Sequence, residues 1–350
     1  MKAWVLQGID QLELNTAAKP EPKSTEVLLK VQAAGICGSD IPRIYKTGAH
    51  VHPLIPGHEF AGQVVALGEE VSDRWLNKRV GVFPLIPCKK CMPCKKGQYE
   101  MCRNYSYLGS RRDGGFAEYV AVPEENLIEL PEHVSFEEAA MMEPMAVAVH
   151  AMRRIMPEVQ DSVVVCGLGT IGMLLVMFLI DAGINHILVI GNKQSQKQAV
   201  LDLGLEEACY CDSRTQDVNT WVMEHTKGNG ADVIFECVGK NETVEQSLNL
   251  AAPAGRICLV GNPYSDMNLH KDAYWKILRN QLIVTGTWNS TFNHQSSDDW
   301  HYVLDRLEQK KVQPSKLITH RYPMEEMEQG FHIMRDKSED YIKIMMNLED

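Results

Sequence analysis

The chain has 350 residues, more than one ordinary hydrophobic core holds, so two domains of uneven size are predicted. Its 45% apolar and 23% charged residues place it among ordinary soluble globular proteins. A net charge of -11 argues against nucleic acid or an anionic membrane as the main partner, so an anionic ligand would need a local basic pocket.

The opening MKAWVLQGID alternates like a strand and lacks the apolar centre of a secretory leader, so a cytoplasmic protein is expected. From Met1 to about His150 the chain reads as strands broken by turns, at Val27–Ala34, Gly62–Leu67, Arg79–Phe83 and Phe116–Val122. That pattern predicts a twisted all-β unit of barrel type. From about Met152, short apolar runs alternate with helical patterns. The runs lie at Ser162–Cys166, His186–Ile190, Ala208–Cys211, Asp232–Cys237, Arg256–Val260 and Leu282–Thr285. Helices are expected at Gly172–Ala182, Gln196–Leu203 and Thr243–Ala251, and six alternations imply a doubly wound parallel sheet. The longest apolar run, Met173–Ile180, is too short to span a bilayer and suits a buried helix. After Gly286, Ser297 is expected to cap a helix presenting Trp300, Val303, Leu304 and Leu307 on one face. A helix near Met324–Met334 and a strand at Tyr341–Met346 follow, and this tail is expected to return to the first domain.

Four of the ten cysteines, Cys88, Cys91, Cys94 and Cys102, form C-x2-C-x2-C-x7-C. Without a secretory leader, metal ligation is the stronger reading than disulfides. Four thiolates on one loop suit a closed tetrahedral zinc that stiffens the lobe and does no chemistry; free thiols or an iron–sulfur cluster are the alternatives. Lys89, Lys90, Lys95, Lys96 and Arg103 would offset the thiolate charge and lower the thiol pKa values.

A second patch, G-I-C-G-S-D at 35–40 and G-H-E-F at 57–60, supplies Cys37, His58 and Glu59, with Glu143 in M-E-P-M further on. Thiolate, imidazole and carboxylate with room for water describe an open, catalytic zinc. Each of these residues alone would more often be ordinary core or surface.

After the first run of the second half comes G-L-G-T-I-G: Gly167, Leu168, Gly169, Thr170, Ile171 and Gly172, opening a helix. Gly167 permits the tight turn, Gly169 lets a pyrophosphate approach the backbone, and Gly172 lets helix and strand pack closely. The next strand ends in Gly191, where enzymes for NAD usually carry an acid, followed by Asn192 and Lys193. Glycine there leaves room for a 2′-phosphate, to which Asn and Lys can donate, so NADP(H) is favoured over NAD(H). A neutral loop that tolerates NAD is the competing reading.

Taken together, C-G-S-D, G-H-E, the four-cysteine lobe, the segment Glu143–His150 and the glycine motif resemble the zinc-dependent medium-chain dehydrogenases, in order and over essentially the whole chain. The resemblance implies a two-domain α/β fold. A GroES-like twisted β catalytic domain would take 1–151 and 286–350, with a zinc lobe at 86–104. A Rossmann domain would take 152–285. It implies Cys37, His58, Glu59 and Glu143 as ligands or near-ligands of a catalytic zinc, and Ser39 as the acceptor of the substrate hydroxyl that opens a proton relay. Many relatives carry the next relay histidine where this chain has Pro42, so no second relay residue is expected here. A homodimer or homotetramer joined through the cofactor domains, near Arg256–Thr285, is also implied.

The segment Y-L-G-S-R-R-D-G-G-F-A-E-Y, residues 107–119, carries Arg111 and Arg112, which could grip an anionic substrate bidentately or form an ordinary surface pair. This stretch and C-G-S-D-I-P-R-I-Y, with Arg43, resemble the galactitol-1-phosphate 5-dehydrogenase subgroup, with the sorbitol and other polyol dehydrogenases next. The resemblance therefore implies oxidation of a secondary hydroxyl of a polyol phosphate, or alternatively of a free polyol or another secondary alcohol. Tyr45, His50 and Trp288 are candidate walls of the substrate pocket. A zinc-free quinone or enoyl reductase would lack the Cys37/His58/Glu59 set. A zinc-stabilised dinucleotide-sensing regulator would keep the cysteine lobe and glycines but need no open metal site.

Overall fold

The computed structural model describes residues 1–348. Two compact units divide the chain: 1–143 with the segment from Thr291 onward, and Pro144–Ser290. The division lies ahead of the expected boundary at 151 and beyond the one at 286, because helix Met142–Ile155 begins in the first unit and continues into the second.

In the first unit, strand Glu26–Gly35 is the hub. It pairs antiparallel with Glu59–Leu67, Tyr119–Pro123 and Lys343–Asn347. Its sequence EVLLKVQAAG is apolar almost throughout and buried along nearly its whole length, as a strand covered on both faces requires. Arg79–Val82 and Leu127–Glu129 extend the sheet on one side and Ile318–Pro323 on the other, with a hairpin of Lys2–Gly8 and Gln11–Thr16 beside it. Trp4, Phe116 and Phe331 meet edge to face in the core, with Trp4–Phe331 centroids 5.8 Å apart and Phe116–Phe331 centroids 5.4 Å apart.

The last strand, Lys343–Asn347, pairs with the hub strand, and its register matters. Gly35 lies opposite Met345 on one side and Glu59 on the other, which brings the last strand beside the metal-binding strand. One local expectation fails: helix Asp299–Glu308 is capped by Asp298, whose carboxylate accepts from His301 N, and not by Ser297. A carboxylate one residue nearer the first turn takes the orphan amide. Trp300, Val303 and Leu307 are buried on its inner face, and Leu304 only partly.

In the second unit six parallel strands stand in the spatial order third, second, first, fourth, fifth, sixth: Tyr210–Asp212, His186–Gly191, Ser162–Cys166, Ala231–Glu236, Ala251–Leu259 and Ile283–Gly286. The order reverses between the first and fourth strands, the crevice where such sheets bind nucleotides. The apolar run Met173–Ile180 lies in helix Thr170–Asp181, buried from Gly172 to Leu179. Helices Val218–His225 and Lys271–Arg279 complete alternations that the apolar runs alone leave as loops. Among the described residues no helix is long and apolar enough to cross a membrane.

Candidate metal and cofactor sites

Strand Glu26–Gly35 ends into Cys37, and the segment before strand Glu59–Leu67 ends at His58. The two strands are antiparallel neighbours, so both ligand-bearing ends meet. Cys37, His58 and Glu59 each offer a ligand atom within 4.8 Å of the others. Ser39 Oγ donates to Cys37 Sγ at 3.3 Å, which puts a hydroxyl at the rim of the cluster. Asp40, fully buried, accepts from Cys37 N at 3.0 Å and pairs with Arg43, while its Oδ1 lies 3.4 Å from His58 Nδ1. A carboxylate behind a ligating imidazole fixes its tautomer and orientation. Sequence reasoning quoted Asp40 within C-G-S-D but assigned it no role.

The charges of these side chains are coupled. Burial opposes charge on His58, but Asp40 and then Cys37 raise its pKa to about 10. Burial likewise opposes the Cys37 thiolate, and His58 outweighs it, so the thiol pKa is lowered. Asp40 is lowered because His58 and Arg43 overcome its burial. His58 Nδ1 faces Asp40 Oδ1 without close hydrogen-bond geometry. A buried imidazole beside a thiolate and a carboxylate fits a divalent ion with nitrogen, sulfur and oxygen donors.

Glu143 stands outside that tight trio. Its Oε1 accepts from Tyr107 OH at 3.1 Å, and burial raises its pKa against the opposing pull of His58. Tyr107 also meets the His58 ring edge-on at 5.8 Å, so it links Glu143 to the cluster. On the far side of Glu59 sits Lys343 from the last strand. It pairs with Glu59 Oε2 and donates to Ile36 O at 3.0 Å, both side chains being essentially sealed from solvent. Gly35 is what allows the pair. A Cβ there would lie 2.5 Å from both Glu59 Oε2 and Lys343 Cε.

In the cysteine lobe all four sulfurs lie within 4.8 Å of one another, with Cys91–Cys94 at 3.4 Å and Cys91–Cys102 at 3.9 Å. A tetrahedron with zinc–sulfur bonds of about 2.3 Å has edges of roughly 3.8 Å, so the set fits zinc. The thiolate character has a different source from the expected lysine field. Amides of Arg103 and Cys94 lower Cys91 to about 6, and those of Lys90 and Cys91 lower Cys88. Lys89 instead pairs with Glu125. Burial pushes Cys94 up to about 12, a cost that coordination would relieve.

In the second unit each glycine of the motif has a separate task. Gly167 holds φ +94°, and a Cβ there would strike Val238 at 2.5 Å. A Cβ on Gly172 would lie 2.0 Å from Gly167 O, while at Gly169, the N-cap of helix Thr170–Asp181, nothing stands within 4 Å. An open cradle at a helix N-terminus fits a pyrophosphate. Glu236, fully buried, accepts from Val238 N, Gly239 N and Thr243 Oγ1 and so shapes the facing turn; sequence reasoning did not single it out.

The arginine pair separates. Arg112 donates to Glu26 at 2.8 Å, a structural bond within the sheet unit. Arg111 has no carboxylate partner among the described residues and lies over the Tyr105 ring at 4.4 Å, with Tyr105 in turn edge-on to Tyr107. The two arginines thus have different surroundings, a carboxylate for Arg112 and an aromatic ring for Arg111. Tyr45 packs against the sheet core under Arg335, His50 is exposed, and Trp288 is 56% exposed in the second unit. Pro42 is exposed at the end of the short helix Asp40–Pro42.

Comparison with known proteins agrees with this construction. Residues 23–132 match the alcohol dehydrogenase GroES-like domain, and residues 170–309 match the zinc-binding dehydrogenase domain. Galactitol 1-phosphate 5-dehydrogenase of Escherichia coli K12 is 33% identical over 312 residues, 89% of this chain and 90% of that protein. The chain belongs to the zinc-dependent medium-chain alcohol dehydrogenases. Sorbitol dehydrogenase of Halalkalibacterium halodurans is 32% identical over 353 residues, covering 99% of each chain. Two solved structures, each 27% identical with a TM-score of 0.90, cover 99% of this chain. One is a zinc-binding dehydrogenase of Sinorhizobium meliloti bound to NADP, matched over 98% of its chain; the other is an alcohol dehydrogenase of E. coli complexed with NADH, matched over 99%. As a zinc alcohol dehydrogenase the chain is an oxidoreductase acting on a CH–OH group, within a family whose members include polyol dehydrogenases.

Proposed function

We propose that this dehydrogenase reversibly oxidises a secondary hydroxyl of a polyol phosphate resembling galactitol 1-phosphate to a ketose, with NADP(H) preferred. The observation that carries the reading is the chain of contacts from Arg111 through Tyr105 and Tyr107 to His58 and Glu143. It ties a cation without a carboxylate partner to the open metal cluster, in a protein otherwise strongly acidic.

When bound, zinc would supply Lewis acidity and the nicotinamide would serve as the hydride acceptor. Cys37, His58 and Glu59 would hold the catalytic ion, with Glu143 as a further carboxylate within reach of the same charges, and Cys88, Cys91, Cys94 and Cys102 a second, structural ion. Ser39 would accept the substrate hydroxyl's hydrogen bond. Asp40 keeps the His58 ring oriented. Arg111 would receive the phosphate, and Arg112 would not, being committed to Glu26. Gly167–Gly172 would cradle the pyrophosphate, with Asn192 and Lys193 toward the ribose.

The edge strand Ile283–Gly286 supports association into a homodimer or homotetramer. Among the described residues no strand pairs with its outer side, and Ile283, Trp288 and, on the neighbouring helix, Tyr274, Trp275 and Leu278 are exposed. The test of function is cofactor reduction by zinc-replete enzyme, pairing galactitol 1-phosphate, galactitol, sorbitol and xylitol with NAD and NADP. Preference for the phosphorylated polyol is the expected result. Equal turnover of free polyols would reject the Arg111 role and leave a free-polyol dehydrogenase.

A further inference from the structure

Gly191, at the end of the second strand, is not an empty seat. A Cβ built there lies 2.8 Å from both Cε2 and Oη of Tyr210, and 2.9 Å from Gln196 Oε1. Real Cβ atoms do not approach that closely, so any other residue at 191 must move the ring. The ring resists. Tyr210 is 6% exposed, and its hydroxyl donates to Lys193 O at 3.0 Å. Tyr210 belongs to the third strand, whose pairing with the second (Val189 opposite Tyr210, Gly191 opposite Asp212) fixes the approach. Ser213 adds two hydrogen bonds to Gly191 O, from its amide at 2.9 Å and its hydroxyl at 3.1 Å.

Gln196 completes the closure. Its Oε1 accepts from Asn192 N at 3.0 Å and its Nε2 donates to Leu168 O at 3.0 Å. One side chain therefore ties the glycine-rich turn to the loop that follows the second strand. The carboxylate that binds ribose hydroxyls in enzymes for NAD would have to project from position 191. Here that space is filled from the neighbouring strand and helix, and the same two residues hold the backbone of 192 and 193.

We propose that Tyr210 and Gln196 are the specificity-determining residues of the cofactor site. Tyr210 bars an acidic residue from position 191, and Gln196 fixes the Asn192–Lys193 loop that meets the adenosine ribose. This deepens the NADP(H) reading and rests on it for which cofactor benefits; the barred seat does not depend on it. Changing preference would therefore require two substitutions, and Gly191→Asp alone would harm binding of both dinucleotides.

The test is calorimetric titration of NAD and NADP into zinc-replete, full-length wild type, Gly191→Asp, Tyr210→Ala, the Gly191→Asp/Tyr210→Ala double variant, and Gln196→Ala. Overpacking at 191 should weaken both cofactors in the first variant by about ten-fold or more. In the double variant the flexible end of Gln196 can swing aside once the ring is gone, so NAD binding should recover about ten-fold over Gly191→Asp and exceed NADP binding. Gln196→Ala should weaken NADP several-fold more than NAD. Tighter NAD binding by Gly191→Asp with Tyr210 intact, or purely additive effects at 191 and 210, would overturn the role of Tyr210. An unchanged NADP/NAD ratio in Gln196→Ala would overturn that of Gln196. If thermal melting shows Gly191→Asp unfolded, Gly191→Ala carries the same close contact in one carbon and takes its place in the cycle. Wild type binding NAD more tightly would sink the NADP(H) reading, while the 191–210 coupling would still be judged by the cycle.

Discussion

Lys343→Met probes the least expected contact at the metal cluster. Lys343 and Glu59 have side chains 1% and 2% exposed, and the ammonium also donates to Ile36 O. Methionine keeps the length and apolar stem but leaves Glu59 as a buried charge without its partner. Removing one member of a buried pair costs about 3–5 kcal/mol. At about 2–4 °C per kcal/mol for a domain of this size, the metal-free protein should melt roughly 10 °C lower. A bound divalent ion can take up the Glu59 charge, so the loss should be markedly smaller in the zinc-loaded form. Scanning calorimetry with and without a chelator reads both values. The cobalt-substituted protein should show a changed visible spectrum, since Glu59 is released toward the ion. Adding Glu59→Gln removes the stranded charge and should restore most of the metal-free stability. Equal losses in both metal states, with no rescue by Glu59→Gln, would show that Lys343 acts through packing and refute this reasoning.

Cys94→Ser should lower the zinc content by one ion per chain, measured by elemental analysis, and expose segment 88–102 to protease. Arg111→Ala should raise KM for the phosphorylated polyol about ten-fold or more while leaving free polyols unaffected, as expected for loss of a charge-assisted contact. Arg112→Ala should instead lower the melting temperature with little change in KM. Asp298→Ala should cost about 1 kcal/mol through the lost cap. Asp298 also raises the His301 pKa by hydrogen bonding at 2.8 Å. That part of the stability is fully present below the ordinary histidine pKa and is lost as pH rises through the raised folded value. Wild-type and variant melting curves should therefore converge at alkaline pH, apart from the cap. If the edge strand joins protomers as proposed, Val284→Lys should lower the sedimentation coefficient relative to wild type, with each protomer still folded.

What could be read from the sequence were features whose chemistry is local. Four cysteines within Cys88–Cys102 can converge on one ion whatever surrounds them, and G-L-G-T-I-G carries its turn, cradle and packing contact in six residues. Strands buried on both faces announced themselves as apolar runs. The tail's return to the first unit followed from its change of pattern. Contacts set by strand register stayed hidden. Lys343 stands 284 residues from Glu59, in a strand whose text, KIMMN, reads like an edge with an exposed lysine. Only the pairing of Gly35 with both neighbouring strands brings the two together.

The same limit applies to two glycines. Gly191 looks permissive in sequence, a position where a ligand is given room, and Gly35 carries no signal there at all. In the fold each is demanded by a neighbour already present: the Lys343–Glu59 pair in one case, the Tyr210 ring in the other. A missing side chain therefore says that space is needed without saying who takes it. At Gly169 nothing of the protein fills that space, and a ligand is the natural occupant; at Gly191 the protein fills it itself. This difference, rather than the absence of an acid, is what should govern the choice between the two nicotinamide cofactors.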